Sequence, residues 1–138
     1  MRFMIIVKAT ADSEAGVIPG PAVFEAMGRF NEELVDAGVL LAAEGLHPSK
    51  EGARVTSKGG KLTVVDGPFA ETKELIAGFW LISAKDKDEA LGWVRRIPFA
   101  EGETIELMRV FEAADFGDAV PPEVAEKEAE LRARSAQS

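Results

Sequence analysis

Apolar residues in Arg2–Lys8 alternate without leaving a polar side: Phe3, Ile5 and Val7 point one way, Met4 and Ile6 the other. A period of two predicts a strand, and apolar residues on both faces predict that both faces are covered. Residues 9–20 are polar and punctuated by Gly and Pro, and read as a loop. Pro21 suits the first position of a helix. Val23, Met27, Phe30 and Leu34 then recur at helical spacing, with Glu25, Arg29, Glu32, Glu33 and Asp36 on the wet side and Gly38 as the C-terminal cap. A second strand covers about 39–46. Residues 53–57 and Lys61–Asp66, joined through Lys58-Gly59-Gly60, read as a hairpin. Its alternation sets Val55, Leu62 and Val64 against Arg54, Thr56, Lys61 and Thr63. Residues 67–77 lack clear periodicity. Residues 78–84 form another strand with two apolar faces, Phe79 and Leu81 against Trp80 and Ile82. Asp86 caps a further helix with Glu89 as its capping-box partner; Ala90, Leu91, Val94 and Ile97 line the inner face and Pro98 ends it. Residues 104–111 are the last core strand. Beyond them, helix formers with few large apolar residues predict a solvated helix or a frayed tail.

The order β-α-β-hairpin-β-α-β predicts an α+β fold, a ferredoxin-like antiparallel sheet with two helices on one face. That arrangement leaves the other face bare, although two of its strands carry large apolar residues there. Such a patch predicts a cover. The simplest is a second copy packed sheet to sheet about a two-fold axis, a homodimer. The alternative cover is the C-terminal segment, but Val120, Val124 and Leu131 are few for that task.

A length of 138 residues suits a single domain able to bury a core. The chain has no cysteine, which excludes disulfides, thiol nucleophiles and Cys-ligated zinc. Neither a signal peptide nor a stretch of about 20 apolar residues is found, so the expectation is a cytoplasmic protein without membrane contact. Seven acidic and three basic residues fall in 112–138, so half of the net charge of −8 belongs to the last fifth of the chain. An acidic surface without a Lys/Arg stripe disfavours direct nucleic-acid binding. The hydrophobic content of 46% exceeds what one face of a small sheet can use, which again favours a dimer.

Asp66-Gly67-Pro68-Phe69-Ala70-Glu71-Thr72-Lys73-Glu74, followed by Gly78-Phe79-Trp80 and the helix at 86–97, resembles the motif of the YCII-related (DGPF-motif) family. The opening Met1-Arg2-Phe3-Met4, Gly45-Leu46-His47-Pro48 and Arg96-Ile97-Pro98 resemble the same family in the same order, so the resemblance covers about 1–111 and leaves 112–138 as an acidic extension. It implies a ferredoxin-like fold assembled as a dimeric α+β barrel in a bacterial cytoplasmic protein, in a family whose function is mostly unassigned. It also implies a histidine and an aspartate placed together in a pocket, which here are His47, the single histidine, and Asp66. A carboxylate beside an imidazole fixes its tautomer and raises its basicity, as a general base near neutral pH requires. The plain readings compete: Asp66-Gly67 is a common turn pair, and a loop histidine before Pro is often just exposed.

Gly67, Pro68, Phe69, Glu71, Lys73 and Trp80 complete the candidate pocket or motif. Glu71, Lys73 and Glu74 are rim charges or a solvated turn. Phe69 and Trp80 are expected to pack in the core or at the dimer seam, and either would suit a small flat ligand if it lined a cavity. A metal site from His47, Glu44 and Asp66 is weak, and no phosphate loop, Gly-x-Ser-x-Gly elbow or His-x-x-x-His pair points to a cofactor. Two functions follow. One is a small cofactor-independent lyase, isomerase or hydrolase in which His47 acts as general acid/base, oriented by Asp66, on a small organic substrate. The other is a non-catalytic binding or regulatory module acting through protein contacts. The resemblance extends to partners of alternative sigma factors, which would link such a module to transcription.

Overall fold

The computed structural model describes residues 1–136. Strands β1 (Arg2–Lys8), β2 (Leu40–Gly45), β5 (Ile76–Ser83) and β6 (Ile105–Arg109) form one antiparallel sheet in the order β2-β5-β1-β6. Strands β3 (Ala53–Lys58) and β4 (Lys61–Asp66) form a separate hairpin between β2 and β5. The hairpin turns at Gly59-Gly60, both with positive φ (59° and 78°), the backbone that a tight two-residue turn requires. The architecture is α+β, with helices packed on the antiparallel sheet.

The register explains the core. Phe3 pairs with Ile82 and Ile5 with Trp80, so these four side chains leave the sheet on one face. They are buried there beneath Phe30 and Leu34 of α2 (Pro21–Asp36) and Ala90 of α3 (Lys87–Val94), together with Ile97. Ile5, Leu34 and Ile82 are fully enclosed. Burying each such side chain stabilises the fold by about 1.5–3 kcal/mol before its ordering cost is counted. The opposite face carries Met4 beside Leu81 and Ile6 beside Phe79, all half-buried, with Met108 exposed next to Met4.

Several details depart from the sequence reading. The stretch 9–20 contains a short helix, α1 (Ala11–Glu14), opened by a reciprocal cap: Ser13 N donates to Thr10 Oγ1 (3.1 Å) and Thr10 N to Ser13 Oγ (2.8 Å). Four residues are too few to show an apolar period. Helix α3 stops at Val94, and Ile97 is reached by tight turns through Arg96 N to the Trp93 carbonyl and Ile97 N to the Val94 carbonyl. Asp86 caps α3 by accepting from Glu89 N (2.9 Å), but the Glu89 carboxylate reaches back to Lys85 N rather than to Asp86 N. Val23, placed on the buried stripe of α2 by its spacing, is instead exposed and lines a cleft with Val17 and Phe99.

After β6 the chain passes through 3₁₀ turns (Ala113–Ala119) into α4 (Pro122–Ala136). Arg2 grips this segment: its Nε and Nη2 donate to Glu112 Oε1 and Oε2 at 2.9 and 3.2 Å. Those hydrogen bonds hold the Glu112 carboxyl below its ordinary range and raise the Arg2 guanidinium further. Phe111 and Phe116 stack at 4.7 Å and share a shallow cleft with Ala125 and Ala129 of α4, while Val124 and Leu131 remain exposed. No helix among the described residues is long and apolar enough to cross a membrane.

Candidate functional site

His47 follows directly on β2, whose end is fixed by Leu46 N donating to the Ala77 carbonyl (2.8 Å). Its side chain is 82% exposed, and Nδ1 lies 3.7 Å from Glu51 Oε2, one 3₁₀ turn further on. His47 is one of the residues lining a cleft of about 350 Å³. Val17, Ile18 and Pro19 form one wall, Leu46, His47 and Pro48 the other, with Gly45 and Ala77 at the floor. Ser13 and His47 are the polar side chains among its lining residues, and no Asp, Glu, Lys or Arg is among them.

Asp66 ends β4 opposite Ala53, and its side chain is exposed. The Gly67–Pro68 peptide that follows is cis. Gly67 lies so close to the His47 segment that a β-carbon there would sit 1.7 Å from the Ser49 carbonyl oxygen, and its N–H donates to the Gly52 carbonyl (2.9 Å). The turn and the histidine segment are thus pressed together. They do not form the expected dyad in the single chain: no hydrogen bond or ion pair joins His47 to Asp66 among the described residues, and Asp66 does not line the His47 cleft.

The remaining candidates separate. Phe69 is half-buried outside the core, with the Arg54 guanidinium 3.9 Å over its ring. Pro68 and Glu71 are exposed, and the Glu71 carbonyl starts the 3₁₀ turn Thr72–Glu74 by accepting from Glu74 N. Lys73 borders a second cleft, of about 340 Å³, with Lys8, Thr10 and Thr104. Trp80 lines neither of these clefts. It is buried under α2, edge-on to Phe30 at 5.4 Å, and its Nε1 donates to Asn31 Oδ1 (2.8 Å), because its register with Ile5 turns it to the helix face. No group of three His, Cys, Asp or Glu side chains among the described residues is placed to hold a metal ion; Glu44 lies across from Phe79 on the other face of the sheet.

Sequence reasoning passed over Glu14 and Ser49. Glu14 Oε1 accepts from Ser49 N (2.8 Å) and Oε2 from Ser49 Oγ (2.5 Å), while Ser49 Oγ accepts from Phe69 N (3.0 Å). The three segments lie 35 and 20 residues apart, and only the fold brings them together.

A four-stranded antiparallel sheet and an inserted hairpin define a small α+β domain, with a histidine-lined cleft near the Asp66–Phe69 turn. The chain belongs to the YCII-related family, whose domain matches residues 1–114. It is 37% identical over 82 residues to an uncharacterised protein of Rhizobium meliloti (strain 1021), an alignment spanning 59% of this chain and 66% of that relative. Among solved structures it is similar to 5-chloro-2-hydroxyhydroquinone dehydrochlorinase (TftG) from Burkholderia phenoliruptrix AC1100, in complex with 2,5-dihydroxybenzoquinone. That match has 18% identity and a TM-score of 0.43, and covers 83% of this chain and 98% of that one.

Proposed function

We propose that the protein is a small cofactor-independent enzyme in which His47 moves a proton to or from a small, mostly apolar organic substrate, in an elimination or isomerisation. The observation that carries this reading is that the chain's one imidazole belongs to a residue lining a cleft whose other residues are uncharged. An imidazole there can give or take a proton at a ring nitrogen, which is what general acid/base chemistry asks of it. On this reading Asp66 becomes the orienting carboxylate when bound substrate or a second copy brings it to His47, since the two do not meet in the free single chain. Its backbone pairs with Ala53, its carboxylate has no partner among the described residues, and it precedes the turn pressed against the His47 segment. The working unit on this reading is a homodimer closed over the apolar sheet face of Met4, Ile6, Phe79, Leu81 and Met108.

The test is a screen of small aromatic and carbonyl compounds by thermal shift, followed by turnover of those that bind. His47→Ala should lower turnover by about 10²–10⁴-fold without altering the fold. Turnover unchanged in that variant ends the catalytic reading. The exposed, stacked Phe111–Phe116 pair favours a second reading, a docking surface for a protein partner in regulation. Deleting residues 115–138 should then abolish capture of that partner while leaving a cleft-borne activity intact.

A further inference from the structure

The two walls of the His47 cleft come from chain segments more than 25 residues apart, and backbone pairing does not join them: residues 13–19 on one side, 45–48 on the other. The carboxylate of Glu14 spans them. It is the last residue of α1, a helix held by its reciprocal Thr10–Ser13 cap and by Ala9 N donating to the Leu75 carbonyl (2.9 Å). Both Glu14 oxygens are spent on Ser49, one on its amide and one on its hydroxyl, and no cation pairs with Glu14 among the described residues. Charge-assisted hydrogen bonds of this kind are roughly twice as strong as neutral ones. Ser49 lies two residues past His47, and its hydroxyl passes the connection on by accepting from Phe69 N, three residues past Asp66.

We infer that Glu14 and Ser49 are the positioning residues of the cleft: one carboxylate and one hydroxyl set its width and fix the His47 segment against the turn that carries Asp66. The inference rests on the proposed role of His47, and it explains the residue types. The N–H and the O–H are met by two separate oxygens, which a carboxylate supplies, whereas a glutamine side chain puts a donor NH2 in the place of one of them. A hydroxyl is needed at 49 because that atom both donates to Glu14 and accepts from Phe69. A clasp serving stability alone would have no reason to converge on the segment bearing the histidine.

The single histidine makes the test direct, since its ring gives one set of NMR signals in the full chain. Ser49→Ala leaves the charge unchanged, so any response of His47 comes from position. In Ser49→Ala the Phe69 amide should exchange about tenfold faster and the His47 ring signals should move toward random-coil values. Ser49→Thr, which keeps the hydroxyl, should restore both, and covers the case of an unfolded alanine variant. Glu14→Gln should have the same effects, and combining it with Ser49→Ala should add nothing, as in a single network. The melting temperature should change little in all of them, because both residues lie outside the buried core. His47 signals left at their wild-type positions in folded Ser49→Ala would overturn the inference. Loss of turnover failing to appear in His47→Ala would overturn the catalytic reading alone and leave the clasp standing.

Discussion

At Gly67 the backbone passes so near Ser49 that a single added carbon has no space: a β-carbon there meets the Ser49 carbonyl at 1.7 Å. Backbone cannot yield as a flexible side chain does, so Gly67→Ala should push the turn off the His47 segment. The expected cost is about 2 kcal/mol, read as a fall in melting temperature of several degrees, together with a shift of the His47 ring signals. A variant melting with the wild type would refute the contact. The sequence marked Gly67 as part of a motif but gave turn geometry as the reason. Its real neighbour, Ser49, lies 18 residues away and invisible to local pattern. Trp80 teaches the same at the other pole: alternation said that Phe79 and Trp80 face apart, and only the pairing of Trp80 with Ile5 decided which one the helices cover.

Between elements, the bidentate grip of Arg2 on Glu112 joins the first residue of β1 to the segment leaving β6. The hydrogen bonds from Arg2 lower the Glu112 pKa in the folded chain, so the unfolded chain binds a proton at higher pH than the folded one. The stabilisation is therefore complete above the ordinary carboxylate range and is lost as pH falls through the depressed folded value. The gap in melting temperature between wild type and Glu112→Gln should be steady above the ordinary carboxylate range and narrow progressively as the medium is acidified below it. A gap that widens on acidification would show that Glu112 contributes through something other than this pair. The elements themselves were legible wherever they are long: the period of α2, the two-faced strands and the Gly59-Gly60 turn all stand in the sequence. Helix α1 was not, because four residues held by a cap leave no period to read.

For the whole molecule the open question is the second sheet face. Phe79 sits near its centre, beside Ile6 and across from Glu44. If two copies close over these faces, the wild type should run in light scattering at twice its chain mass of 14.8 kDa. Phe79→Glu should then run as a monomer that stays folded, since its side chain points away from the core shared by Ile5, Leu34 and Ile82. A wild type that is monomeric at all accessible concentrations would remove the dimer and leave the face for another partner.

The sequence by itself determined the alternation of the strands, the stripe of α2, the hairpin and the family to which residues 1–114 belong. These are local properties, fixed by the period of side chains along a strand or helix and by the backbone that glycine and proline allow. Tertiary structure alone decided that Trp80 serves the core, that His47 faces Glu51 rather than Asp66, and that Glu14 closes on Ser49 across a cleft. Those outcomes depend on strand register and on contacts between residues far apart in the chain, which no local period encodes.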